Sequence, residues 1–284
     1  MQLSSQKNEG VPLLKASILV ILLFQSCAMI ARSFTTVQLR ESGLSHLIAK
    51  DLSWLVVPII LGLLMLPILR ENWSTLRTQF RVQHLTQKLV FVSVALGLIL
   101  RFAQWASLIA IESFQEPVAT SSSSMTGLTF NFACQSPGTL ALTVLVSAIF
   151  TPLLEETINR GFILQTLLPR SRPLAIIVSA ILFGIIHQPA SIILASIIGI
   201  VLALQYINSG TLWACIVTHA TYNALAILDW HCFQVTWNPL SNSSATKAVG
   251  SIALLSLLVS LALIAFLIQS RFYELEPGRS APRS

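Results

Sequence analysis

Eight long apolar runs follow one another along this chain: Ala16 to Ala31, Leu52 to Leu69, Leu89 to Ile111, Ala141 to Leu168, Leu174 to Pro189, Ser191 to Tyr206, Leu212 to Leu228 and Ala248 to Ile268. A helix of about 20 predominantly apolar residues crosses a bilayer because its backbone polar groups are all satisfied internally. A chain that repeats such runs has few other folds open to it. Of its 284 residues 54% are hydrophobic and only 10% charged, too few polar groups to cover a soluble domain of this size. The expected fold is all-α, a polytopic membrane helical bundle of about eight transmembrane helices in a single membrane domain, 1–284. Helices one to three occupy 1–138, core helices four to seven 139–230, and an outer loop, helix eight and a tail 231–284.

Charge placement predicts orientation. Lys and Arg are retained on the cytoplasmic side, and Arg70, Arg77, Arg81 and Lys88, then Arg170 and Arg172, then Arg271, Arg279 and Arg283 all fall on one side of an eight-span arrangement. The stretch Glu112 to Gly138, without Lys or Arg, and the stretch Asp229 to Lys247, with one, fall on the other. Both termini are therefore expected in the cytoplasm, although Arg32, Arg40 and Lys50 in the first loop are discordant. The net charge of +6 forms no basic stripe with interleaved aromatics, so the expected partner is the lipid bilayer and no nucleic acid is expected. The first run is expected to stay as helix one, since no small-residue cleavage site follows it cleanly. Trp54, Tyr206, Trp213, Trp230 and Tyr273 near span ends are expected at headgroup level. The serine run Ser121 to Ser124 is expected in an outer loop.

Ionisable groups within a span cost about 2.5 to 3.5 kcal/mol each even on the lenient insertion scale. Of eleven acidic residues only Glu155 and Glu156 lie well inside a run, and of seventeen basic ones only Arg101 and Arg160. Glu156 and Arg160 are four apart, as a helix-stabilising ion pair would be. His187 closes the fifth run, and His219 and Asn223 share one face of the seventh. A lone membrane histidine is more often a bridge between helices than a catalyst. Three helices that each carry catalytic residue types form a constellation suited to hydrolysis.

Depth is consistent with convergence. At 1.5 Å per residue, Glu155 lies about 20 Å above Leu168, His187 about 20 Å above Leu174 and His219 about 10 to 15 Å above its helix start. This requires the fourth helix to continue through Arg160 instead of ending at the glutamates. Pro152, one turn before Glu155, removes a backbone hydrogen bond and is expected to loosen the helix there.

At these residues the sequence resembles the CAAX protease and bacteriocin-processing family of intramembrane endopeptidases, also called the Abi family or type II CAAX prenyl endopeptidases. The first motif stands as Glu155, Glu156 and Arg160, followed by Gly161; the second as Phe183 and His187; the third as His219 and Asn223. Each motif alone is weak, but the three occur in order on core spans, over roughly Leu140 to Asp229. The resemblance implies that Glu155 is the general base that activates water, that His187 helps to position that water, and that His219 and Asn223 donate to the developing oxyanion. Glu156 and Arg160 would hold the site. No Ser or Cys stands beside a histidine as a nucleophile, in keeping with direct attack by water.

The same residues leave a zinc alternative open, with His187, His219 and either Glu155 or Glu156 as ligands. No H-E-x-x-H motif is present and Asn223 has an obvious role only without a metal, so the glutamate scheme is preferred. The implied substrate is a membrane-anchored protein or peptide, lipidated or not, and the expected location is the plasma (inner) membrane. A non-catalytic scaffold or immunity-type partner on the same fold and a small proton-coupled transporter are the competing functions. Arg101 in the third span needs an acceptor, and by elimination it is expected to face Glu155 and Glu156. Cys134 and Cys232 fall in outer loops that helices four and seven should bring together, which would allow a disulfide, whereas Cys27 and Cys215 should remain free thiols.

Overall fold

A computed structural model describes residues 18–80, 85–114, 127–132, 136–187, 191–231, 233–238 and 244–269. The helices are α1 (Ile18–Glu41), α2 (His46–Trp54), α3 (Val56–Gln79), α4 (Gln87–Phe114), α5 (Pro137–Leu167), α6 (Arg172–Ile185), α7 (Ile192–Ser209), α8 (Leu212–His231) and α9 (Ser244–Gln269). Among the described residues, α1, the α2–α3 unit, α4, α5, α7 and α9 are long and apolar enough to cross a membrane, and α6 and α8 are shorter apolar helices. Each of the eight predicted runs thus has its helix. The protein is an integral, multi-pass membrane protein.

Side chains such as Leu19, Leu23, Ile59, Leu63, Ile193 and Phe266 stand exposed on the outside of the bundle. Such an apolar surface would be untenable in water and is what lipid requires. Inside, α5 runs through the middle, touching α6, α7, α8 and the N-terminal helices, while α4 packs between α8 and α9. Close approach depends on small residues. A Cβ on Gly97 of α4 would lie 2.6 Å from the Thr218 carbonyl oxygen of α8, and one on Gly199 of α7 would lie 3.0 Å from Cα of Ala180 in α6. A polar lock ties the same helices together: Gln205 donates to Ser93 Oγ at 3.1 Å and Thr218 Oγ1 at 2.8 Å, and Thr218 donates to the Ser93 carbonyl at 3.0 Å. Residue 218 is thereby fixed from two sides, immediately before His219.

The structure departs from the sequence expectations at several places. The first helix does not end at Ala31 but continues to Glu41, so Arg32 is a helix residue whose guanidinium carbon lies 4.0 Å from the Trp54 ring centre. One of the discordant loop charges is therefore a packed cation. Tyr206 is 3% exposed, its hydroxyl accepting from Gln165 at 2.5 Å. The stretches before α5 and after α8 contain two strands, β1 (Gly127–Phe132) and β2 (Phe233–Asn238), paired antiparallel from Gly127 opposite Asn238 to Phe132 opposite Phe233. This ladder brings together the chain beside the ends of α5 and α8. Cys134, Cys232, Ser121 to Ser124, the tail arginines and Tyr273 lie outside the described residues. Cys27 and Cys215 are free thiols, Cys215 buried with Sγ 3.2 Å from the Leu202 carbonyl oxygen.

Candidate active site

α5 continues past the glutamates to Leu167, as the depth argument required, but it is not a uniform α-helix. Residues Val144–Phe150 and Thr157–Leu164 are π-helical, with an α-helical segment Thr151–Glu156 between them. Pro152 explains the first change. It has no N–H to donate, and just before it the Thr151 N–H reaches back to the Val146 carbonyl, a wider, π-type bond. The loosening expected at Pro152 thus takes the form of a π-helical stretch next to the glutamates, a distortion frequent at functional sites.

Glu156 and Arg160 are both fully buried, and Arg160 Nη1 donates to Glu156 Oε1 at 3.2 Å. The other terminal nitrogen, Nη2, donates to the Gly199 carbonyl at 2.9 Å, and the guanidinium carbon lies 4.6 Å from the Phe183 ring centre. Arg160 therefore ties α5 to α7 through the Gly199 carbonyl and to α6 through the Phe183 ring, besides its pair with Glu156 on the same helix. The second acceptor interaction of Glu156 Oε1 comes from His219 on α8, whose Nδ1 is 2.9 Å away. A carboxylate only accepts, so Nδ1 carries the proton in that bond and Nε2 is turned towards Glu155, 3.9 Å from its Oε2. Neither Glu155 Oε2 nor Glu156 Oε2 has a hydrogen-bond partner, although both are buried. Glu155 is anchored instead through its backbone, with Asn159 donating to its carbonyl at 2.8 Å and Ser179 of α6 donating to the Asn159 carbonyl at 3.1 Å.

Phe183 is the hub of the second motif. Its buried ring lies 4.9 Å from the His187 imidazole and 5.6 Å from that of His219, the latter edge to face, besides receiving Arg160. His187 Nδ1 is 2.8 Å from the Phe183 carbonyl oxygen, which assigns the proton to Nδ1 and leaves Nε2 as an acceptor. His187 makes no hydrogen bond to either glutamate. Asn223 donates one amide hydrogen to the Ser147 carbonyl in α5 at 2.8 Å, which pins α8 to the π-helical stretch and leaves its second hydrogen available.

Two expectations need correction. Arg101 does not face the glutamate pair: it donates to Gln104 Oε1 at 2.6 Å and lies 5.4 Å from the Trp105 ring and 5.5 Å from the Tyr222 ring. The pocket that contains Glu155 is walled not by α4 but by α1, α2, α3, α5 and the end of α6. Gln25, Met29, Trp54, Val57 and Leu61 come from the N-terminal helices, and Thr151, Leu154, Ile158 and Ile186 join Glu155 on the other side. Sequence motifs pointed to none of the N-terminal wall; Gln25, a polar residue inside the first apolar run, was the one signal of it. The Gly199 and Ser147 carbonyls left no sequence signal, since any residue supplies one.

The zinc alternative requires three donors converging on one point. Among the described residues no group of three or more His, Cys, Asp or Glu side chains is so arranged. His219 Nδ1 is held by Glu156 and His187 Nδ1 by its own helix, so on each ring Nε2 is the nitrogen left for an ion or for water.

Residues 137–225, from the start of α5 to Leu225 in α8, match the model of a family described as type II CAAX prenyl endopeptidase Rce1-like. The match encloses all three motifs and none of α1 to α4. No curated protein and no solved structure matches the chain.

Proposed function

We propose that this chain, whose residues 137–225 match the type II CAAX prenyl endopeptidase Rce1-like family model, hydrolyses a peptide bond of a membrane-associated substrate within the bilayer, with Glu155 activating the water. The observation that carries this is a buried carboxylate oxygen, Glu155 Oε2, that has no hydrogen-bond partner among the described residues, lies 3.9 Å from His219 Nε2 and belongs to a residue lining a pocket with mostly apolar walls. A general base needs a free lone pair within reach of the proton it abstracts. Glu156 is assigned the supporting role instead, because it is fully buried, does not line that pocket and has its Oε1 held by Arg160 and His219.

In this scheme a water molecule transfers a proton to Glu155 as its oxygen attacks the scissile carbonyl carbon, giving a tetrahedral intermediate. His187 Nε2, an acceptor, orients that water. The oxyanion receives hydrogen bonds from the free Asn223 amide hydrogen and from Nε2–H of His219 when that ring enters the reaction as the imidazolium, its Nδ1–H held in place by Glu156. Donors fixed in a low-dielectric site cost no reorganisation during the reaction. Glu155 then passes its proton to the departing amine as the C–N bond breaks, leaving a carboxylic acid and a free amine, with the Glu155 carboxylate restored. No step uses a metal.

The test is cleavage by protein in lipid nanodiscs of internally quenched peptides ending in Cys-aliphatic-aliphatic-X, with and without a farnesyl group on the cysteine. Wild type should release the fluorophore and Glu155→Ala should not. A folded wild type that cleaves neither peptide would favour the non-catalytic scaffold.

A further inference from the structure

Gln25 sits two turns into α1, outside the matched family segment, and is only 7% exposed. Its side chain forms no hydrogen bond among the described residues, yet it lines the pocket that contains Glu155. A membrane helix normally satisfies a buried amide against a neighbouring helix. Here the amide meets the pocket instead, so it is presented to whatever fills that space.

We infer that Gln25 is a substrate-binding residue, pairing with the backbone N–H and C=O of the residue beside the scissile bond; this rests on the hydrolase reading above. A primary amide offers one acceptor and two donors, the complement of a peptide unit. A peptide drawn into an apolar pocket loses its water, and its backbone groups then need protein partners. Among the described residues the lining's polar groups besides Glu155 and Gln25 are Thr151 and the indole N–H of Trp54, and of all these only the Gln25 amide offers both an acceptor and two donors in one plane. Glu155 disfavours an anionic occupant, and no cation lines the pocket to hold one. The remaining walls, among them Met29, Val57, Leu61, Leu154 and Ile186, suit aliphatic side chains on the bound segment.

The probe is the farnesylated, internally quenched peptide ending in Cys-aliphatic-aliphatic-X, compared with its ester analogue, in which the backbone N–H beside the scissile bond is replaced by oxygen. Turnover is followed by fluorescence, binding by anisotropy in the Glu155→Gln background, and stability by thermal unfolding. Gln25→Leu should raise KM about tenfold with kcat within threefold, the signature of lost uniform binding. The ester should bind more weakly than the amide to Gln25 protein but equally to Gln25→Leu protein. Gln25→Leu should unfold no earlier than wild type, because no protein hydrogen bond is lost. An unchanged KM, an ester penalty that persists in Gln25→Leu, or a lowered unfolding temperature would overturn the inference. Binding without wild-type turnover would refute the hydrolase reading while the amide and ester binding constants still decide the role of Gln25. No binding at all would overturn that role as well.

Discussion

Removing the Arg160 guanidinium should unfold this protein more readily than removing the proposed catalytic base. Arg160 is fully buried and holds Glu156 at 3.2 Å, the Gly199 carbonyl at 2.9 Å and the Phe183 ring at 4.6 Å. In Arg160→Met the Glu156 carboxylate keeps only His219 as a partner, and breaking one side of a buried pair costs about 3 to 5 kcal/mol. The orphaned Gly199 carbonyl adds about 1 to 3 kcal/mol, less than additively because the same side chain supplies both. A loss of at least about 3 kcal/mol is more than a hundredfold in the folded-to-unfolded ratio and a large share of a typical domain's margin. Thermal unfolding in detergent, followed by tryptophan fluorescence, reads it directly. The double variant Glu156→Gln/Arg160→Met should be more stable than Arg160→Met, since the uncompensated charge is gone. If Arg160→Met unfolds at the wild-type temperature, or if the double variant is no better than the single one, Arg160 is not the structural counter-charge proposed here.

Glu155→Gln should unfold like wild type, because its side-chain Oε2 has no hydrogen-bond partner to lose, while turnover falls about 10²- to 10⁴-fold, the usual worth of a general base; retention of a tenth of the activity would remove Glu155 from that role. Asn223→Ala should lower kcat by about 10² to 10³, the cost of one oxyanion donor, and should also lower stability, since the Ser147 carbonyl loses its donor; a change in stability with kcat intact would make Asn223 a structural tie only. Gly97→Ala should destabilise by about 1 to 3 kcal/mol through overpacking, because its Cβ would meet the Thr218 carbonyl at 2.6 Å, and unfolding at the wild-type temperature would show that α4 and α8 separate freely. Dialysis against EDTA should leave turnover unchanged, and activity lost to the chelator but restored by zinc would overturn the metal-free scheme.

The bundle and the three motifs were legible in the sequence for one physical reason: a bilayer penalises each misplaced polar group separately. Apolar run length therefore announces the helices, and Glu155, Glu156 and Arg160 stand out because charges are costly where they lie. The i,i+4 geometry of Glu156 with Arg160 and of His219 with Asn223 is local and could be read from spacing. Which groups touch across helices was not local. Arg101 found Gln104 and aromatic faces instead of the glutamates, a choice made by helix rotation, which no linear spacing encodes. Tyr206 and Trp54 are held by Gln165 and Arg32, partners that position near a span end does not reveal. The π-helical form of α5 depends on backbone bonds around Pro152, and the Gly199 and Ser147 carbonyls carry no residue identity. The pocket around Glu155 exists only because α1 to α3 fold against α5. Residue chemistry and depth are properties of the chain one position at a time, whereas a pocket belongs to helices distant in sequence, and only their packing decides it.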